Sequence, residues 1–158
     1  MASTVKTQTL KVTLTEEIVL NGSNYKSSNV LSIPLIAEIS KRIVSVTTTE
    51  AQILAFGSAV ANGTYVLGNV KYIRITNLDD ANHVVITLVN SIEGEAALKL
   101  DYGQSMIING DLSGGLASVM IADNTAITNP HSSLANLASI NAIADTSAVD
   151  LEIFVACV

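Results

Sequence analysis

Val149-Asp150-Leu151-Glu152-Ile153-Phe154-Val155 places an apolar residue at every second position, with acidic Asp150 and Glu152 between the first three. The same period of two runs through Leu10-Lys11-Val12-Thr13-Leu14 near the other end of the chain. Successive side chains of a strand point to opposite faces, so this alternation predicts half-buried β-strands rather than helices. Between these two runs the pattern repeats. Strand candidates follow at Ile18–Leu20, Val30–Ile33, Ile43–Thr47, Ile53–Phe56, Tyr65–Leu67, Val70–Thr76, Val84–Val89, Ala96–Leu100 and Ser105–Ile108, many of them rich in Val, Ile and Thr.

Turn signals separate these candidates. Asn-Gly occurs at Asn21-Gly22, Asn62-Gly63 and Asn109-Gly110, and both residues of that pair tolerate the positive φ of a tight hairpin turn. Tyr72–Asn77 and Val84–Asn90 read as two strands of one hairpin across the loop Leu78–His83. Pro34 is expected at a strand end or on an edge, where its missing N–H does least harm. Strands at roughly ten-residue spacing predict an all-β chain, an antiparallel β-sandwich of jelly-roll-like or Ig-like form. The 158 residues fit a single domain, 1–158, long enough to bury a core without a metal or disulfide.

Residues 124–147 depart from the pattern. They are rich in Ala, Ser, Asn and Thr, nearly free of charge, and contain Pro130. They read as an insertion. Leu134, Leu137 and Ile140 fall at three-residue spacing with Ile143 next, which predicts a short amphipathic helix over about 133–144, a long loop being the other reading. That stripe is the expected partner-contacting element, docking on a neighbouring copy or shell protein; closing the sandwich's open end from within is the competing role.

Composition narrows the function. Hydrophobic residues are 49% of the chain and charged ones 14%, about half the usual charged fraction. So little charge fits a surface covered by neighbouring subunits, and predicts a homo-oligomer or many copies on an assembly. A net charge of −6, with no basic cluster longer than Lys41-Arg42, argues against nucleic acid as a partner. No apolar run approaches the roughly 18 residues that span a bilayer, and Met1–Lys6 carries no export pattern, so neither a membrane role nor secretion is expected.

No chemical constellation is complete. Asp79, Asp80 and His83 share a loop but lack further ligands in sequence for a metal. His131 stands alone after Pro130, and Glu93, Glu95 and Asp101 read as solvent charges. The glycine-rich Gly110–Gly115 lacks the Lys-Ser/Thr of a phosphate loop, and Cys157 alternates with Val155 and Ile153 as a small buried residue. The expectation is therefore no enzyme, no catalytic residue, no metal site and no cofactor. A carbohydrate-binding sandwich is disfavoured by the absence of Trp and by only four Tyr and two Phe as stacking platforms.

One resemblance emerges. Lys71-Tyr72-Ile73-Arg74-Ile75-Thr76-Asn77-Leu78-Asp79, then Val84–Leu88, then Ala97-Leu98-Lys99-Leu100-Asp101-Tyr102-Gly103-Gln104-Ser105 resembles the β-sandwich core of small virion structural proteins of tailed phages, particularly marine ones. It covers roughly residues 65–110. The resemblance implies a capsid decoration or cement protein, with a neck, tail or fibre-attachment protein as the alternative. The major capsid protein or neck and tail proteins would be the partners, and the virion, assembled in host cytoplasm, its location.

Overall fold

The computed structural model describes residues 5–61, 63–91, 95–118 and 137–158. In chain order the strands are β1 (Gln8–Glu16), β2 (Val19–Leu20), β3 (Ser23–Asn24), β4 (Ser27–Ile36), β5 (Glu38–Val46), β6 (Ala51–Gly57), β7 (Thr64–Val66), β8 (Val70–Asn77), β9 (Val84–Asn90), β10 (Glu95–Leu100), β11 (Ser105–Asn109), β12 (Leu137–Ala144) and β13 (Val149–Cys157). The described residues also form two 3₁₀ turns, Leu67–Asn69 and Leu116–Ser118.

A five-stranded sheet of order β10-β9-β12-β6-β7 and a four-stranded sheet of order β11-β8-β13-β5 share one apolar cluster. Every pairing is antiparallel except β6 with β7, which is parallel. The all-β sandwich-like fold read from the period-two pattern is the one found. Strand β13 shows why: Val149, Leu151, Ile153 and Val155 are at most 1% exposed, while Asp150 and Glu152 lie on the other face. Ile53, Leu54, Ile86 and Ile140 join the same cluster from the five-stranded sheet.

Three sequence expectations are corrected. The helix expected over 133–144 is, from Leu137 to Ala144, strand β12, held centrally between β9 and β6. Register shifts at Leu137/Ser139 and Ile140/Asn141 let Leu137 and Ile140, three residues apart, both reach the core. A bulge thus reproduces the spacing that a helix would give. Second, β8 and β9 are not a hairpin. The chain between them crosses from one sheet to the other, because both strands have an apolar face that the opposite sheet must cover.

Fully buried Asn77 fixes that crossing: its side-chain amide donates to the carbonyls of Asn82 (2.9 Å) and Leu100 (3.2 Å), and its Oδ1 accepts from the Asp79 N–H (2.9 Å). Third, Asn109-Gly110 is not a hairpin turn. Gly110 is required by close approach, since a Cβ there would lie 2.4 Å from the Val70 carbonyl oxygen. Beside it the Lys71 ammonium, on a residue 2% exposed, donates to the carbonyls of Gly68 (3.3 Å) and Asp111 (3.2 Å) and ties the first 3₁₀ turn to the glycine-rich loop.

Candidate interaction surface

Strands β1 and β4 form a two-stranded ladder from Gln8↔Ile36 to Glu16↔Ser27, and neither pairs with a strand of the sandwich. Its tip is a second ladder, Val19↔Asn24 and Leu20↔Ser23, closed by Asn21 (φ 50°) and Gly22 (φ 79°). This is the tight turn that the first Asn-Gly pair predicts. The tip bonds to itself: the Tyr25 N–H donates to the Ile18 carbonyl (2.8 Å), and Glu17 holds Asn24 (3.2 Å) and Lys26 (3.3 Å).

Only the root of this arm is covered. Ile33 and Ile36, with Leu10 and Val12, pack on Tyr72, Phe154 and Ala156 of the four-stranded sheet's outer face. The Tyr72 and Phe154 rings meet edge to face, centroids 5.9 Å apart and planes at 73°, a favoured aromatic arrangement. Beyond the root, Leu14, Ile18, Val19, Leu20, Tyr25 and Val30 are each more than half exposed. A lone two-stranded hairpin is at best marginally stable in water. An apolar arm of this kind calls for a second surface.

The sheet's outer face continues past the arm. A cleft of about 320 Å³ opens between Leu10–Leu14 of β1 and Tyr72, Arg74, Ile107 and Phe154. From Arg74 in its lining a polar network runs on outside the cleft: Glu152 accepts from Arg74 and from Lys41 (3.0 Å), Arg74 also donates to Thr76, and Thr76 meets Ser105 at 2.7 Å. The hydrogen bond from Arg74, then that from Lys41, holds the Glu152 carboxyl below the usual glutamate range.

A carboxyl depressed in the folded state contributes its stability in full above the ordinary glutamate range and loses it as pH falls through the depressed value. Glu152→Gln should therefore flatten the acid limb of the stability curve and leave the neutral region nearly parallel to wild type, as read by urea denaturation from pH 7 down to pH 3.

Charge divides between arm and body. Three lysines (Lys6, Lys11, Lys26) against two glutamates (Glu16, Glu17) give residues 1–37 a net +1 in a chain of net −6, which leaves −7 for residues 38–158. On the outer face, Ile39 and Ile43 of edge strand β5 are also exposed, 61% and 63%.

Of the four residues expected to contact a partner, three are among the described residues. Leu137 and Ile140 are core residues, 5% and 0% exposed, and Ile143, partly buried, alternates with core-facing Ala142 and Ala144; Leu134 lies outside the described residues. Sequence reading missed the arm. The available signal was Val30-Leu31, adjacent apolar residues that an exposed-edge hairpin cannot both turn to one core face.

The remaining candidates that are described make local contacts. Asp79 accepts from the N–H groups of Ala81 (2.8 Å) and Asn82 (2.6 Å), and these bonds, that of Asn82 foremost, depress its carboxyl. His83 faces Asp145 at 3.4 Å, Asp80 is beside Asp79 in the turn, and Asp101 pairs with Lys99 at 3.0 Å. His131 and Glu93 lie outside the described residues. Among the described residues no three His, Cys, Asp or Glu side chains converge on one point.

Cys157 sits in the core, 3% exposed, and burial foremost, with the charge of Glu38, pushes its thiol up to about 12. Since the thiolate is the nucleophile, Cys157 should resist a disulfide-exchange reagent at pH 8 in the folded protein and react within minutes in denaturant, followed by thionitrobenzoate release.

Compared with protein-family models, curated proteins and solved structures, the chain matches none of them.

Proposed function

We propose that this protein is a structural subunit of a tailed-phage virion, a decoration or cement protein that binds the shell in many copies and performs no reaction. The observation that carries the assembly reading is the hairpin arm: apolar side chains from Leu14 to Val30 are left in solvent on a chain with only 14% charged residues. Side chains of this size contribute about 1.5–3 kcal/mol each when fully buried, so an arm covered in an assembly gains what it lacks alone.

The setting in a virion draws support from the resemblance over residues 65–110. Its segments lie on β8 to β11, of which β8 and β11 belong to the four-stranded sheet and β9 and β10 to the five-stranded one.

Cryo-electron microscopy of purified particles tests the reading directly. Density for the sandwich in regular array on the shell is the expected result. Density confined to the neck or tail would transfer the protein to the alternative virion role, and absence from particles would reject both.

A further inference from the structure

We propose that the hairpin arm is exchanged between two copies of this chain, the root of each arm lying on the outer face of the partner's four-stranded sheet. The proposal rests on the assembly reading above and gives it a first partner, a second copy.

The covalent arrangement permits exchange. Among the described residues the arm runs into the sandwich through the passage from β4 to β5, the single residue Ala37. No ladder pairs the described arm strands with the sandwich sheets. Its attachment is the small apolar cluster of Leu10, Val12, Ile33 and Ile36 on Tyr72, Phe154 and Ala156, with one backbone bond at its base, from the Ala37 N–H to the Cys157 carbonyl (2.9 Å). Each of those contacts can be made equally with the same surface of another copy.

The hinge favours opening. Leu35, directly after Pro34, holds φ at +63° and is 63% exposed. A left-handed backbone is costly for a residue with a Cβ. The ladder slips here too, Gln8 pairing with Ile36 and Leu10 with Ile33. Short strained hinges invite swapping. Swinging out lets β4 and β5 run on as one strand and relieves Leu35.

The chemistry selects a second copy as occupant. The outer face already fits this arm, since Leu10, Val12, Ile33 and Ile36 pack on Tyr72, Phe154 and Ala156 and every copy carries both surfaces. A two-fold exchange makes both contacts at once. Pairing two copies also brings together apolar surface that a closed monomer leaves wet.

Light scattering on the full chain at micromolar concentration should give a dimer; a monomer throughout overturns the proposal. Two full-length variants test exchange itself. Phe154→Asp blocks the outer face and keeps the arm, whereas Leu10→Asp with Val12→Asp blocks the arm and keeps the outer face. These residues lie outside the sandwich core cluster. Each variant alone should be monomeric, and an equimolar mixture should form a one-to-one heterodimer. A mixture that stays monomeric shows that the arm packs only on its own chain.

Leu35→Gly relaxes the closed hinge at a side chain that is mostly exposed, and should raise the dimer dissociation constant by about tenfold or more. A constant that is unchanged or lower overturns the exchange. A dimer that survives all three variants uses another surface, which rejects the exchange while particle binding, measured separately, still decides the assembly reading.

Discussion

Ile140→Asp should abolish folding, whereas Ile143→Asp, three residues further on, should leave a folded protein. Ile140 is fully buried in the central strand of the five-stranded sheet, paired with Leu54 on one side and Leu88 on the other. No cation is placed to receive a carboxylate there, because its neighbours in the core cluster are Ile, Leu and Val side chains.

A buried unpaired charge combined with a lost isoleucine costs upwards of about 5 kcal/mol, comparable with the whole stability of a domain of this size. Ile143 is only partly buried and out of step with the core-facing Ala142 and Ala144, so its replacement should cost about 1 kcal/mol. Far-UV circular dichroism with urea melts reads both. A folded Ile140→Asp variant would mean that β12 does not lie between β9 and β6.

The second large effect is expected at Gly115. Its φ is +61°, and a Cβ built on it would lie 2.2 Å from the Gly68 carbonyl oxygen and 2.9 Å from that of Leu67. Gly115→Ala therefore meets two obstacles, a disfavoured backbone region and a collision with backbone atoms that cannot rotate away. About 3–5 kcal/mol of lost stability follows from the two together.

Gly22 supplies the control. It has a similar φ of +79° but open space around its would-be Cβ, so Gly22→Ala isolates the backbone cost at about 1 kcal/mol. Equal losses at the two positions would show that the packing of the glycine-rich loop on the 3₁₀ turn is not tight.

Strands that bury one face announce themselves in the sequence. β13, β8 and β9 alternate because each has one core side, and the Asn21-Gly22 turn was legible because only residues tolerant of positive φ fit it. What misled was the information carried by pairing partners. Nothing within Tyr72–Val89 says whether two neighbouring strands pair or face each other across a core; that depends on Asn77 reaching Leu100 and on β11 and β13 competing for β8.

β12 was misread for a related reason: its bulges are set by two different neighbours at once. The arm escaped notice because apolar residues usually signal a core, and those of Ile18–Leu31 have none in the single chain.

The order in which strands are made has its own consequence. β13 is made after every other strand described above, yet it lies between β5 and β8 and pairs with both along nearly its full length. Until it emerges from the ribosome, β5 and β8 have no common neighbour, and the apolar faces of both sheets stand open. At about 5–20 residues per second the wait amounts to several seconds, during which exposed strand edges invite pairing between nascent chains. Folding of this protein is thus gated by synthesis of residues 149–157, and a ribosome stalled shortly before them should hold a chain recognised by holdase chaperones rather than a partly finished sandwich.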